Sequence, residues 1–258
     1  MPRRLIVLTL AASVIAPADL TTSRLTAETT RAFDGYVKRR ELEIARRQEP
    51  AAALWCLEIS ACRQAAKSGV YVDGHAGQGL SEIKGGLVHD WVGATFIPGA
   101  TLDQTLTLLR NYANHKNLFA PEVIESKTLE ERGDDYKVFL KIRKKKILTV
   151  VLDTEYDVIY RKVGAKRAYS RSYSTKVAEV EDGREYPVGN DHGFMWRLNA
   201  YWRFEERDGG VYVECETISL SRPVPFLLTS LMAPILKQLP RESLEKTLLA
   251  TRDALARR

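Results

Sequence analysis

Cysteine is scarce in this 258-residue chain: Cys56, Cys62 and Cys215 are the only three, with no CxxC pair and no cluster of histidines beside them. That excludes a cysteine-dense disulfide scaffold and a structural zinc site of the usual spacing. An odd number leaves at least one thiol unpaired. Six residues along one regular helix separate Cα atoms by about 10 Å, beyond disulfide reach, so buried free thiols are expected if Cys56 and Cys62 share a helix. The four histidines, His75, His89, His115 and His192, are dispersed, and HExxH, GxSxG and Walker sequences are absent. No metal and no cofactor are expected. Gly74-His75-Ala76-Gly77-Gln78-Gly79 lacks the GxGxxG spacing and reads as a flexible loop. RNA-recognition and Cys/His finger signatures are also missing, so nucleic acid is not an expected partner.

Long apolar runs are absent too. The first one, Leu5 to Ala16, is about a dozen residues where a membrane span needs about 20. It follows Arg3 and Arg4 and ends in Ala16-Pro17-Ala18, so residues 1–18 read as a cleavable signal peptide and the mature chain as periplasmic or secreted. What is present is ordinary globular material: 45% apolar and 28% charged residues, enough to build a core. The net charge of +6 is spread along the chain and names no partner.

Residues 19–69 form an N-terminal helical extension. Thr22 to Arg47 carries an apolar stripe of Leu25, Phe33, Tyr36, Val37, Leu42 and Ile44, and Ala51 to Lys67 resumes helical composition after Pro50. Residues 70–86, rich in glycine, read as an irregular connection with a short strand signal at Val70–Val72. From 87 to 258 the pattern is a strand (Leu87–Ile97), a helix opening at Thr101, six strands (Val123–Glu131, Tyr136–Arg143, Ile147–Lys162, Arg167–Val180, Phe194–Glu206, Val211–Ser221) and a terminal helix from Pro240, with Leu244, Leu248 and Leu255 on one side. Short turns favour antiparallel hairpins.

Asp208-Gly209 is a strong hairpin signal, so Arg207 should oppose Gly210. Alternation then puts Phe194, Trp196, Leu198, Ala200, Trp202 and Phe204 on one face with Val211, Val213, Cys215, Thr217 and Ser219. The other face carries Arg197, Asn199, Tyr201, Arg203, Glu214 and Glu216 and is expected to meet water.

Four stretches carry a resemblance: IPGATLDQTLTLLRNY at 97–112, TVVLDTEYDV at 149–158, DHGFMWRLNAYWRFEERDGGVYVECETISL at 191–220 and PRESLEKTLLATRDAL at 240–255. Together with the element order they resemble a group of uncharacterised secreted bacterial proteins of the START-like helix-grip (SRPBCC) superfamily. The resemblance implies an α+β fold in which a curved seven-stranded antiparallel sheet wraps a long C-terminal helix, with the N-terminal helices outside that core. It also implies a hydrophobic small molecule or lipid held in a cavity between sheet and helix. The expected ligand-binding residues are Trp91, Trp196, Leu198, Trp202, Phe204, Cys215, Thr217 and Leu248. Pro223 to Leu239, apolar and punctuated by prolines, is expected to cover the cavity mouth through Phe226, Leu228, Leu231 and Met232, or to touch a membrane surface transiently. Two alternatives stand beside the ligand-binding reading. One is a cyclase or hydrolase-like enzyme using the same cavity, with His89 or the Arg203–Glu214 pair as acid–base groups, which requires them to point inward. The other is a non-catalytic assembly module of the cell envelope. Arg143-Lys144-Lys145-Lys146 is read as a solvated turn, with anionic headgroups as its functional alternative.

Overall fold

The computed structural model describes residues 21–49, 52–145, 149–223 and 229–256. The expected leader at 1–18, and Phe226 and Leu228, lie outside these residues. A two-residue strand β1 (Ser23–Arg24) precedes α1 (Ala27–Gln48). The helix begins where Thr26 Oγ1 accepts the Thr29 N–H at 3.1 Å. Glu28 in its first turn and Arg46 and Arg47 in its last complement the helix dipole.

The helix expected over 51–67 is two: α2 (Trp55–Glu58) and α3 (Ser60–Ser68), broken where Ile59 adopts extended backbone (φ −104°, ψ 112°). The break overturns the free-thiol reading of Cys56 and Cys62. Their Cα atoms lie 5.1 Å apart and the pair is disulfide-bonded, because the chain turns between them and does not keep the rise of a single helix. Cys215 is a free, buried thiol.

The supposed connection supplies two edge strands, β2 (Val70–Gly74) and β3 (Leu80–Ile83), both paired with β4 (Gly86–Pro98). Then come α4 (Leu102–Arg110), opened by a reciprocal capping box between Thr101 and Gln104, and α5 (His115–Leu118). The meander is β5 (Val123–Arg132), β6 (Asp135–Lys145), β7 (Thr149–Lys162) and β8 (Arg167–Glu181). Two short strands, β9 (Arg184–Glu185) and β10 (Asn190–Asp191), lead into the hairpin β11 (Arg197–Arg207) and β12 (Gly210–Ser221). The chain ends in α6 (Thr229–Ala256). This helix starts well before Pro240, which therefore sits in its interior; part of the apolar segment expected as an irregular cover is helical.

The main sheet runs β2-β4-β12-β11-β8-β7-β6-β5, with β3 added on β4 and β9 on β8. The first long strand pairs with the last, from Leu87 opposite Ser221 to Pro98 opposite Gly210. On the concave side, Leu244, Leu248 and Leu255 of α6 pack in one cluster with Trp91, Phe204, Val213 and Cys215. A Cβ at Gly93 would lie 2.7 Å from Leu248 Cδ1, so the bare backbone there lets the helix seat closely. On the convex side, Phe33, Val37 and Ile44 of α1 pack against Val88, Tyr201, Ile218 and Leu220. The sheet is thus covered by helices on both faces. Among the described residues no helix is long and apolar enough to cross a membrane.

Candidate functional site

The β11–β12 hairpin organises both faces. Asp208 and Gly209 take positive φ (55° and 76°), the type I′ turn whose twist suits paired strands, and Arg207 opposes Gly210 as expected. Alternation sends Leu198, Ala200, Trp202 and Phe204 to the concave side with Val213, Cys215 and Thr217, and Arg203, Glu214 and Glu216 to the convex side.

Burial is inverted relative to polarity. On β11 the convex residues Asn199, Tyr201 and Arg203 are buried, while the concave residues Leu198, Ala200 and Trp202 are only half-buried. Their cross-strand neighbours continue the accessible patch, since Ala200 stands between half-buried Ser172 on β8 and half-buried Thr217 on β12. Small side chains at Ser172 and Ala200 stand in one row with Val158 and Thr217, flanked along β11 by the larger Leu198 and Trp202, so in side-chain size this half-buried row is a trough across the concave face. The trough is neutral. Tyr156 and Tyr160 are pushed up to about 12 by burial, and burial likewise raises the Cys215 thiol, so all three are uncharged near neutral pH.

The convex face does not meet water, contrary to expectation, because α1, α2 and α3 lie over it. Arg203 and Glu214, 2% and 0% exposed, form an ion pair there. Arg40 of α1 reaches Glu216 Oε1 at 2.5 Å and Asp90 Oδ2 at 2.8 Å; Tyr36 Oη donates to Asp90 Oδ2 at 2.9 Å and the Cys56 N–H to Glu214 Oε2 at 2.9 Å. Burial, and then the Asp90 charge, hold Glu216 above the usual carboxylate range, against the pull of Arg40 and Arg203. These charges are thus committed to holding the N-terminal helices on the sheet. A cleft beside Arg203, bordered by Arg47, Glu49 and Leu54, measures about 20 Å³, room for about one water and far below the roughly 300 Å³ of a small ligand pocket.

With the pairing of β4 to β12 and the seating of α6 in the concavity both established, the topology decides the architecture. The chain has a START-like helix-grip fold. No family model and no curated protein matches the sequence. Among solved structures, the helix-grip chain is similar to the STAR-related lipid transfer protein from Xanthomonas axonopodis, at 21% identity and TM-score 0.47, covering 69% of this chain and 98% of that one. It is also similar to human STARD10 (11%, TM-score 0.44, 74% and 77%) and to the Zhui aromatase/cyclase from Streptomyces sp. R1128 (15%, TM-score 0.41, 66% and 95%). At such overlaps the fold assignment rests on the strand order and the helix position themselves.

Of the expected site residues, Trp91, Leu198, Trp202, Phe204, Cys215, Thr217 and Leu248 all lie on the concave side of the helix-grip sheet or on the helix facing it. Trp196 does not. Strand β11 begins only at Arg197; before it the Gly193 turn (φ 70°), fixed by its N–H to Asp191 Oδ1 at 2.7 Å, redirects the chain. The indole donates to the same Asp191 oxygen at 3.0 Å and packs under α1. Leu231 and Met232 fall on α6, and their side chains lie outside the described residues. His89 shares the concave side with Trp91 and places Nε2 3.0 Å from Ser221 Oγ. Ser221 donates its own proton to the Arg222 carbonyl at 3.2 Å, so the imidazole acts as donor, and burial lowers its pKa to about 4. That is the reverse of a base activating a serine. The Arg203–Glu214 pair points away from the concavity, so the inward orientation that its catalytic use requires does not occur.

Residues absent from the sequence-based set complete the trough: Tyr156, Ser170 and Ser172, which alternation on β7 and β8 would have placed once strand order was known. In the basic turn, Lys144 is not simply solvated. It pairs with Glu122 and donates to Ser243 Oγ on α6 at 2.6 Å, while Lys246 of α6 reaches the other Glu122 oxygen at 3.0 Å.

Proposed function

We propose that this protein binds a hydrophobic small molecule or lipid between the concave face of the sheet and the C-terminal helix. The observation that carries the reading is the half-buried row Leu198, Ala200 and Trp202 on the face that should be the driest in the molecule. Apolar surface left accessible on that face gains about 25 cal/mol per Å² when a guest covers it. A protein closing its core for stability alone would fill that trough. The test is native mass spectrometry of protein purified from its own host, followed by a panel of neutral lipids, sterols and quinones. A co-purifying apolar compound, or micromolar binding to a panel member, is expected; protein that is empty from its host and inert to the panel would overturn the reading.

The proposal includes export. The Arg3-Arg4 leader with its Ala16-Pro17-Ala18 site motivates it, and the Cys56–Cys62 disulfide supports it, since such bonds persist in oxidising compartments. N-terminal sequencing of the mature chain should begin near Asp19; a cytoplasmic, uncleaved product would refute it. Transient membrane contact through the apolar segment at 223–239 belongs to the same proposal, and co-sedimentation with vesicles is its test.

A further inference from the structure

The charges under α1 do not balance. Three carboxylates, Asp90, Glu214 and Glu216, have side chains no more than 3% exposed, and among the described residues two guanidiniums, Arg40 and Arg203, are buried with them. Arg203 is taken by Glu214. Arg40 gives Nε to Asp90 Oδ2 and Nη2 to Glu216 Oε1, so the guanidinium edge that ordinarily grips both oxygens of one carboxylate takes one oxygen from each of two. Its Nη1 is turned to the exposed carboxylate of Glu43. Each of the two buried carboxylates keeps a second oxygen, Asp90 Oδ1 and Glu216 Oε2, that is buried and has no hydrogen-bond partner among the described residues.

Two like charges on one guanidinium edge, each with a bare buried oxygen, are an arrangement that a proton relieves. The other groups facing Glu216 do not supply the missing charge. Arg203 Nη2 stands 3.9 Å from Glu216 Oε2, beyond hydrogen-bond length, and is committed to Glu214. Arg47 Nη1 is 3.8 Å from the same oxygen, on a side chain 29% exposed and partly screened by water. Around Arg40 stand Tyr36, which donates to Asp90, and His75 between β2 and β3, whose pKa is lowered by burial and then by the Arg40 charge. Burial, and then the Asp90 charge, raise Glu216 in the same sense. From this cluster we infer that the N-terminal layer is a proton-linked clasp: Glu216 takes up a proton on Oε2 when α1 seats on the sheet, and the seat loosens as pH rises and that proton is lost. Oε1 accepts from Arg40 in either state. A proton held more tightly in the folded chain than in the unfolded one stabilises the fold fully below the ordinary glutamate value of about 4.3. That contribution is lost as pH rises through the raised folded value. The inference is independent of the ligand-binding reading.

Infrared titration of the full chain reads the proton. A carboxylic-acid C=O band should persist above the pH at which ordinary glutamates ionise, and Glu216→Gln should remove part of it; Asp153, Glu179 and Asp191, also raised by burial, hold the rest. In urea unfolding, the stability of Glu216→Gln relative to the unaltered chain should rise with pH across that window, by up to about tenfold in the folding equilibrium per pH unit. Glu214→Gln, which strands Arg203, should be weaker at every pH. Amide exchange in α1, taken relative to α4 at each pH, should quicken through the same window. Arg47→Gln leaves the buried groups intact, so it tests the inference even where Glu216→Gln fails to fold, and it should carry part of the band to higher pH. A Glu216→Gln difference that is flat or falls with pH, α1 exchange that keeps pace with α4, or a band that neither variant alters would overturn the inference.

Discussion

Arg40 Nη2 stands 2.5 Å from Glu216 Oε1, although 176 residues separate them in sequence. The contact is buried on the convex side, where the same guanidinium also holds Asp90, so the first long helix is bolted to the centre of the sheet by charge as well as by packing. Removing one member of a buried pair strands the other in a low dielectric, typically at about 3–5 kcal/mol. Arg40→Met should lower stability by that order in urea unfolding, and Arg40→Met with Glu216→Gln should recover part of the loss. A single-variant loss under about 1 kcal/mol would show that the pair does not anchor the helix.

The disulfide makes a counting prediction. Unfolded, unreduced protein should take up one alkyl group, on Cys215, and reduced protein three, read by mass. Cys56→Ser with Cys62→Ser should cost about 2 kcal/mol, as expected for so short a loop, and should loosen the N–H that Cys56 supplies to Glu214. Three reactive thiols without reductant would refute the bond.

Acid should weaken the fold before its carboxylates titrate. Burial lowers His89 and His115 to about 4, whereas in the unfolded chain they bind protons near pH 6.5. Between those limits the unfolded state holds more protons, so unfolding free energy falls as pH drops from about 6.5 to 4. At about 1.4 kcal/mol per pH unit, each histidine contributes up to a few kcal/mol. Glu179 and Asp191, raised by burial, act in the opposite sense. The clean comparison is therefore His89→Asn with His115→Gln, whose urea midpoint should vary less with pH than that of the unaltered chain. An identical slope would remove the histidines from the account.

Filling the trough should block it. Ala200→Trp places a large ring between Ser172 and Thr217, both half-buried. Ligand affinity should fall at least tenfold while the thermal midpoint moves little, because the added ring enters accessible space and not a packed interior. A large loss of stability would mean that this space is closed in solution.

The sequence made the architecture legible and the polarity of the faces misleading. Asp208-Gly209 fixed the hairpin register, and register fixed which residues share a side. What it did not reveal is that the charged side would be covered. The clue was in α1: Phe33, Val37 and Ile44 are buried at helical spacing, and Arg40 occupies the position between Val37 and Ile44 where another apolar residue is expected, while Leu42, assigned to the stripe, is 62% exposed. A cation inside an apolar stripe calls for a buried anion, and Glu216 is that anion. Trp196 was misplaced because alternation was extended three residues past the true start of β11. The cysteines were misread because helix propensity over 51–67 gave no sign of the extended residue at Ile59. Ser170 and Ser172 stayed hidden because small hydroxyl residues carry no apolar signal, even on the inner face.

The pairing of β4 with β12 has a consequence for how the molecule comes into being. Ribosomes deliver β4 early and β12 near the end, so β4 has only β2 and β3 beside it while over a hundred residues emerge. During that interval α1 lacks Tyr201, Ile218 and Leu220 to cover, and its buried arginine has Asp90 but not Glu216. Such long-range closure slows folding and leaves sticky intermediates for chaperones or proteases to find, so truncation anywhere before Ser221 should yield chains that are degraded and not merely unable to hold a guest.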